Sequence, residues 1–188
     1  MIRKAENTTS GSIGFKLTAF KVFKKSTESY INYSRDYCRK LTTDNIASSF
    51  SHFFEAEISV KLRQSIIECF IKDIESLIEV MKNEEMRLYG ASLLFVYEGD
   101  PDILMDSINK EKQRNHNILL QKGEDIELDE DDEEDDDDDE EAEKDLKSYD
   151  LKVIDFAHSF FQENIGKDEN TLFGLNNLLK ILRTFVKI

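Results

Sequence analysis

The sequence predicts an α+β fold interrupted by one acidic insert, and three observations predict it. Apolar residues recur at helical spacing from Val60 to Lys82 and again near the C-terminus. Short β-prone runs lie at 12–23, 88–97 and 151–156. Between the last two runs the composition changes abruptly to Asp and Glu.

The elements follow in chain order. Residues 12–23 alternate, placing Ile13, Phe15, Leu17 and Ala19 on one face of an expected strand, with Lys16 and Thr18 on the other. Residues 24–37 are polar, with several Ser and Tyr, and are expected to form a connecting loop. Thr43-Asp44 is placed to cap a helix carrying Ile46, Phe50 and Phe53. Ile67, Phe70, Ile71, Ile74, Leu77, Ile78 and Met81 form an apolar stripe of period 3.6, which predicts a long amphipathic helix. Leu93-Leu94-Phe95-Val96 is continuously apolar, as a strand buried on both faces would be, and stops at the turn-forming Glu98-Gly99-Asp100-Pro101. Leu151 to Phe156 is expected to be a short strand. A closing helix from about Asn170 carries Leu172, Leu175, Leu178, Leu179, Leu182 and Phe185. So few strands, two of them apolar, call for sheet neighbours that the sequence does not supply.

Charge is unevenly spread. The net charge is −15, yet 18 Asp and Glu against one Lys fall between Glu124 and Asp145, and elsewhere 22 acids face 24 bases. Like charges at that density repel and offer nothing to bury, so a disordered loop is expected. A near-neutral remainder beside an acidic insert argues against nucleic-acid binding. No apolar run reaches the roughly 20 residues of a membrane span, and residues 1–6 lack the apolar stretch of a signal peptide. Cys38 and Cys69 have no paired motif and are read as reduced thiols. With His52, His116 and His158 scattered, no structural zinc is expected.

Three segments, in order, carry a resemblance to a known family. They are Thr8-Thr9-Ser10-Gly11-Ser12-Ile13-Gly14-Phe15, then Ala91-Ser92-Leu93-Leu94-Phe95-Val96-Tyr97-Glu98-Gly99, then Ile154-Asp155-Phe156-Ala157-His158. Together with the helix from Gly174-Leu175 to Leu182-Arg183-Thr184, they resemble the inositol polyphosphate kinases, most closely the fungal multikinase branch. The resemblance implies the C-terminal lobe of a two-lobed kinase. Residues 1–106 would form its central part, 107–150 the disordered acidic insert, and 151–188 its last strand and helix.

The resemblance also implies the chemistry: ATP and Mg²⁺ as cofactors, and an inositol tris- or tetrakisphosphate as substrate. Phosphoryl transfer is mostly positioning and charge stabilisation, which calls for a metal-binding carboxylate and for cations facing phosphates. By resemblance Asp155 is the catalytic metal ligand, and Ser92 helps shape the nucleotide–metal site. Lys21, Arg39 and His158 would bind substrate phosphates or hydroxyls. Each has a plainer alternative: a turn aspartate, a serine at a strand start, solvated surface cations, a surface histidine. Arg39 follows Cys38 where the family carries Gly, which puts the local backbone in question.

The family's Pro-x-x-x-Asp-x-Lys-x-Gly signature and its small lobe have no counterpart here. Met1 is therefore expected to be an internal methionine of a longer protein, and a chain complete at Met1 is expected to be inactive. Family habit implies a location in nucleus and cytoplasm. A second reading makes the chain an acidic interaction module whose insert binds basic nuclear proteins.

Overall fold

The computed structural model describes residues 8–110, 113 and 148–186. The chain divides into two units, Met1–Pro101 with Tyr149–Ile188, and Asp102–Ser148. Of the insert expected over 107–150, residues 107–110 are helical and 149–150 open a strand, while 111–112 and 114–147 lie outside the described residues. Residues 1–6 also lie outside them.

The framework of the first unit is a pair of amphipathic helices, α4 (Val60–Asn83) and α6 (Glu169–Arg183). The hydroxyl of Ser59 caps α4 by accepting from the Leu62 amide at 3.3 Å. The predicted stripe is buried at Ile67, Phe70, Ile71, Ile74, Ile78 and Met81, and Ile66 joins it. From α6 come Leu172, Leu175, Leu178, Leu179 and Leu182, all buried. The two helices pack on each other, and Arg183 reaches Glu75 at 2.6 Å across their rim.

Around this pair the chain forms three antiparallel two-stranded ribbons among the described residues. β1 (Phe20–Lys24) pairs with β2 (Ser29–Tyr33), β3 (Met86–Arg87) with β6 (Phe160–Phe161), and β4 (Ser92–Tyr97) with β5 (Tyr149–Ile154). Shorter helices α1 (Thr9–Ile13), α2 (Arg35–Cys38) and α3 (Ile46–Phe53) complete this unit. Residues 101–110, α5, are helical, with Pro101 at the first position, where its missing amide donor costs nothing. Among the described residues no helix is long and apolar enough to cross a membrane. Neither Cys38 nor Cys69 is in a disulfide.

Four expectations are corrected. The strand expected over 12–23 begins only at Phe20, because residues 9–13 form a helical turn that ends at left-handed Gly14. That turn docks on α6: Asn177 donates to the Ile13 carbonyl at 3.1 Å. The loop expected over 24–37 contains β2, stabilised by Phe20 stacking on Tyr33 at 4.3 Å. The strand expected to be buried on both faces is covered on one: Leu94 and Val96 of β4 are 43% and 49% exposed. The helix expected after Thr43-Asp44 begins at Ile46, with Asn45 at its N-cap.

On the covered face of β4–β5, Phe95 and Tyr149 meet Phe70 at 4.9 and 5.3 Å, so this ribbon lies against α4. The Tyr97 hydroxyl donates to the Phe53 carbonyl at 2.6 Å, tying β4 to the end of α3.

Two predictions follow from this packing. Gly14 and Gly174 touch backbone to backbone: a Cβ on Gly174 would lie 2.8 Å from the Gly14 carbonyl oxygen. In an exposed helix interior, Gly to Ala gains about 1 kcal/mol. Here Gly174→Ala is expected to lose roughly 1–3 kcal/mol instead, by overpacking, read as a lower urea midpoint at unchanged slope. The second concerns pH. Burial pushes the Tyr97 and Tyr149 hydroxyls up to about 12, with the neighbouring Cys69 and Asp73 charges adding to the rise at Tyr149. The folded chain therefore holds these protons more tightly than the unfolded chain. Their contribution to stability is complete below about pH 10 and is lost as pH climbs toward 12. Tyr97→Phe is expected to flatten that decline in denaturation midpoints measured between pH 9 and 12.

Candidate active site

The site is built outward from the β4–β5 ladder. Its register sets Ser92 opposite Ile154, Leu93 opposite Val153 and Phe95 opposite Leu151. Side chains alternate along a strand, so Leu93, Phe95 and Tyr97 face α4 with their partners, while Ser92, Leu94 and Val96 share the open face. Ser92 thus begins β4 at the end of the ladder where β5 stops.

Immediately past that end, Asp155 adopts a left-handed backbone, φ 59°. This conformation is uncommon for any residue with a Cβ, and Asp and Asn are among those that tolerate it. It breaks the strand direction within one residue. The chain then turns, with the Ser159 amide donating to the Phe156 carbonyl at 2.9 Å. Asp155, Phe156, Ala157 and His158 all stand exposed on this turn. Phe156 and Val153 line an apolar recess of about 370 Å³ together with Leu77, Met81, Met86 and Phe161.

The structure brings three of the sequence-predicted residues together. Asp155 follows the strand residue paired with Ser92, and His158 lies on the same turn. Lys21 and Arg39 belong to the β1–β2 hairpin and the helix after it. Lys21 lies opposite Asn32, with its ammonium 4.5 Å from the centre of the Tyr30 ring. Arg39 bonds Asp36 at 2.9 Å, both side chains being largely exposed. Cys38, where a glycine was expected, is the last residue of helix α2, a backbone that needs no glycine, and burial pushes its thiol up.

Sequence reasoning missed the polar groups behind the turn. Glu85 accepts from the Asn164 amide at 2.6 Å and the Gly166 amide at 3.1 Å. Arg87 donates to the Ile165 and Gly166 carbonyls at 2.6 and 2.8 Å. Asp168 accepts from the Leu88 amide at 3.0 Å and caps α6 through Thr171. The available signal was Asn164 and Gly166 two residues apart, the types that accept φ of 63° and 68°. Among the described residues no group of three or more His, Cys, Asp or Glu could cage a metal ion.

Comparison with known proteins identifies the family. A sequence model of the inositol polyphosphate kinase family matches residues 1–183. The chain is 31% identical over 205 residues to an inositol polyphosphate multikinase of Saccharomyces cerevisiae, covering 98% of this chain and 58% of that protein. It is 23% identical to inositol hexakisphosphate kinase 3 of Mus musculus, covering 97% and 40%. The crystal structure of an inositol phosphate multikinase from S. cerevisiae in complex with ADP and Mn²⁺ matches with a TM-score of 0.72 and 26% identity, over 100% of this chain and 69% of that one. The chain thus spans roughly half the length of these curated relatives. With the family model matching nearly its whole length, the chain belongs to the inositol polyphosphate kinase family.

Proposed function

We propose that this chain serves in transfer of the γ-phosphoryl group of ATP to a hydroxyl of an inositol tris- or tetrakisphosphate. The observation that carries the reading is Asp155, an exposed carboxylate in a left-handed conformation where β5 ends, beside the strand end that bears Ser92. A carboxylate so placed fits a divalent ion of the Mg²⁺ type. Such ions take one or two protein carboxylates and fill the remaining positions with water and phosphate oxygens. That the S. cerevisiae multikinase structure holds ADP and Mn²⁺ supports the same chemistry here.

The ion, when bound, neutralises charge on the phosphate oxygens. The chain's own residues do the rest by placement. Asp155 fixes the ion against a ladder anchored on α4. Ser92 offers a hydroxyl at the same strand end. His158, three residues on, reaches toward a substrate hydroxyl or phosphate. Lys21 and Arg39 supply cations for the substrate's other phosphates. Their present partners do not prevent this, because an exposed pair such as Arg39–Asp36 is worth at most about 1 kcal/mol and yields to a polyanion.

Asp155→Asn tests the assignment cleanly, since asparagine keeps both the shape and the tolerance of left-handed backbone. Measured in a protein that carries the family's signature and small lobe as well, turnover of inositol trisphosphate with ATP is expected to fall by about 100-fold or more, with the thermal midpoint nearly unchanged. Undiminished turnover would remove Asp155 from the mechanism.

We propose as a second reading that the acidic run binds basic nuclear proteins; a location in nucleus and cytoplasm is what family habit implies. This binding is separable from catalysis. In a protein that also carries the family's signature and small lobe, deleting 124–145 is expected to leave phosphoryl transfer within about twofold while abolishing salt-sensitive retention on a histone column. Loss of turnover on deletion would tie the insert to the kinase.

A further inference from the structure

The turn carrying Asp155 and His158 is held at both ends by one stretch of chain, residues 85–92. At the near end Ser92 pairs with Ile154. At the far end Arg87 pairs with Phe160, and Met86 with Phe161. Only residues 155–159 run free between these anchors, a link that could span roughly 17 Å if extended. A carboxylate on so short a link is placed well only if both anchors hold.

The far anchor is weak as a sheet, since β3 and β6 have two residues each. Its strength comes from two charged side chains. Asn164 and Gly166, both at positive φ, turn their amides inward, and the Glu85 carboxylate takes both at 2.6 and 3.1 Å. The two amides, separated by one residue, converge on a single anion, here the chain's own glutamate. Arg87 completes the arrangement by spreading its fork over the Ile165 and Gly166 carbonyls, at 2.6 and 2.8 Å, while also bonding its neighbour Met86 at 3.1 Å. The Gln162 amide returns to the Glu85 carbonyl at 3.2 Å. The amides of Gln162, Asn164 and Gly166 and the carbonyls of Ile165 and Gly166 are thus taken up by Glu85 and Arg87.

We infer that Glu85 and Arg87 are positioning residues, which set the metal-binding geometry of Asp155 by clasping the far end of its turn. The inference rests on the assignment of Asp155 as the metal ligand. Neither side chain touches the reacting groups. An outer partner that bonds the ligand itself typically costs about 10–100-fold in metal affinity when lost; Glu85 and Arg87 act through the backbone of the turn, so the low end of that range is expected.

The experiment uses Mn²⁺ as the probe, with ADP present and free ion followed by electron paramagnetic resonance, alongside thermal denaturation of each variant. Arg87→Met, which keeps an apolar stem and removes the bonds to the Ile165, Gly166 and Met86 carbonyls, is expected to raise the Mn²⁺ dissociation constant about tenfold. Arg87→Lys should recover part of that loss, because an ammonium lacks the planar fork but still donates. If Arg87→Met does not fold, Glu85→Gln carries the test with a shift in the same direction. A lowered thermal midpoint with unchanged Mn²⁺ affinity in the clasp variants would reduce the pair to ordinary structural contacts and overturn the inference. The two readings fail differently. Affinity lost in Asp155→Asn but kept in both clasp variants overturns the clasp alone. Affinity untouched by Asp155→Asn, or absent from the unsubstituted protein, overturns the site and the clasp with it.

Discussion

Six residues of β4 pair with six of β5, and the register of that ladder decides which side chain stands where the strand ends. A slip by one residue would turn Leu93, Phe95 and Tyr97 from α4 to the open face and send Leu94 and Val96 inward. What forbids the slip is aromatic packing. Phe95 and Tyr149 both meet Phe70, a residue with no exposure in the middle of α4, and the Tyr97 hydroxyl is fixed to the Phe53 carbonyl. An isolated two-stranded ribbon is marginal in water. Here α4 supplies the missing support on one face, and the strand end bearing Ile154 and Asp155 inherits its rigidity.

The same helix explains why apparently separate segments work together. α4 ends at Asn83, and within two residues the chain begins the stretch that grips both ends of the 155–159 turn. α6 is tied to this stretch as well, since Asp168 both caps the helix and accepts the Leu88 amide. Secondary structure alone would leave a two-residue ribbon to organise the turn. Charged side chains reaching across nearly 80 positions organise it instead, Glu85 from an exposed position and Arg87 from a half-buried one, and charge-assisted bonds of this kind are stronger than neutral ones.

How much of this the sequence disclosed depends on how far apart the cooperating residues are. α4 and α6 were legible because an amphipathic helix writes its apolar stripe within a few turns of itself. β2 was not, since Ser29 to Asn32 are exposed and leave no alternation to read. The misread strand at 12–19 is more instructive. Ile13, Phe15, Leu17 and Ala19 do alternate, but the Gly14–Gly174 contact and the Asn177 bond to Ile13 come from 160 residues away and impose a helical turn on the start of that run. Asp155 was found through the resemblance of its motif, and its left-handed backbone had no signature beyond residue type. Glu85 and Arg87 were invisible because, along the chain, a glutamate and an arginine after a helix look like solvated surface.

On the proposed assignment of Asp155 as a metal ligand, two demands meet at position 155, and together they narrow the choice of residue. A divalent ion facing nucleotide phosphates requires an anionic oxygen ligand. A strand that must stop and turn within one residue requires φ near 59°, a region that penalises most side chains by roughly 1–2 kcal/mol. Glycine satisfies the second demand and fails the first. Glutamate satisfies the first and can meet the second, as Glu28 does at φ 47°, but without the short polar side chain that eases left-handed backbone. Asparagine fits the backbone and lacks the charge. Aspartate meets both at the least cost. The strain it carries is borne by neighbours that cannot relax: a ladder locked on Phe70 before it, and a turn clasped by Glu85 and Arg87 after it.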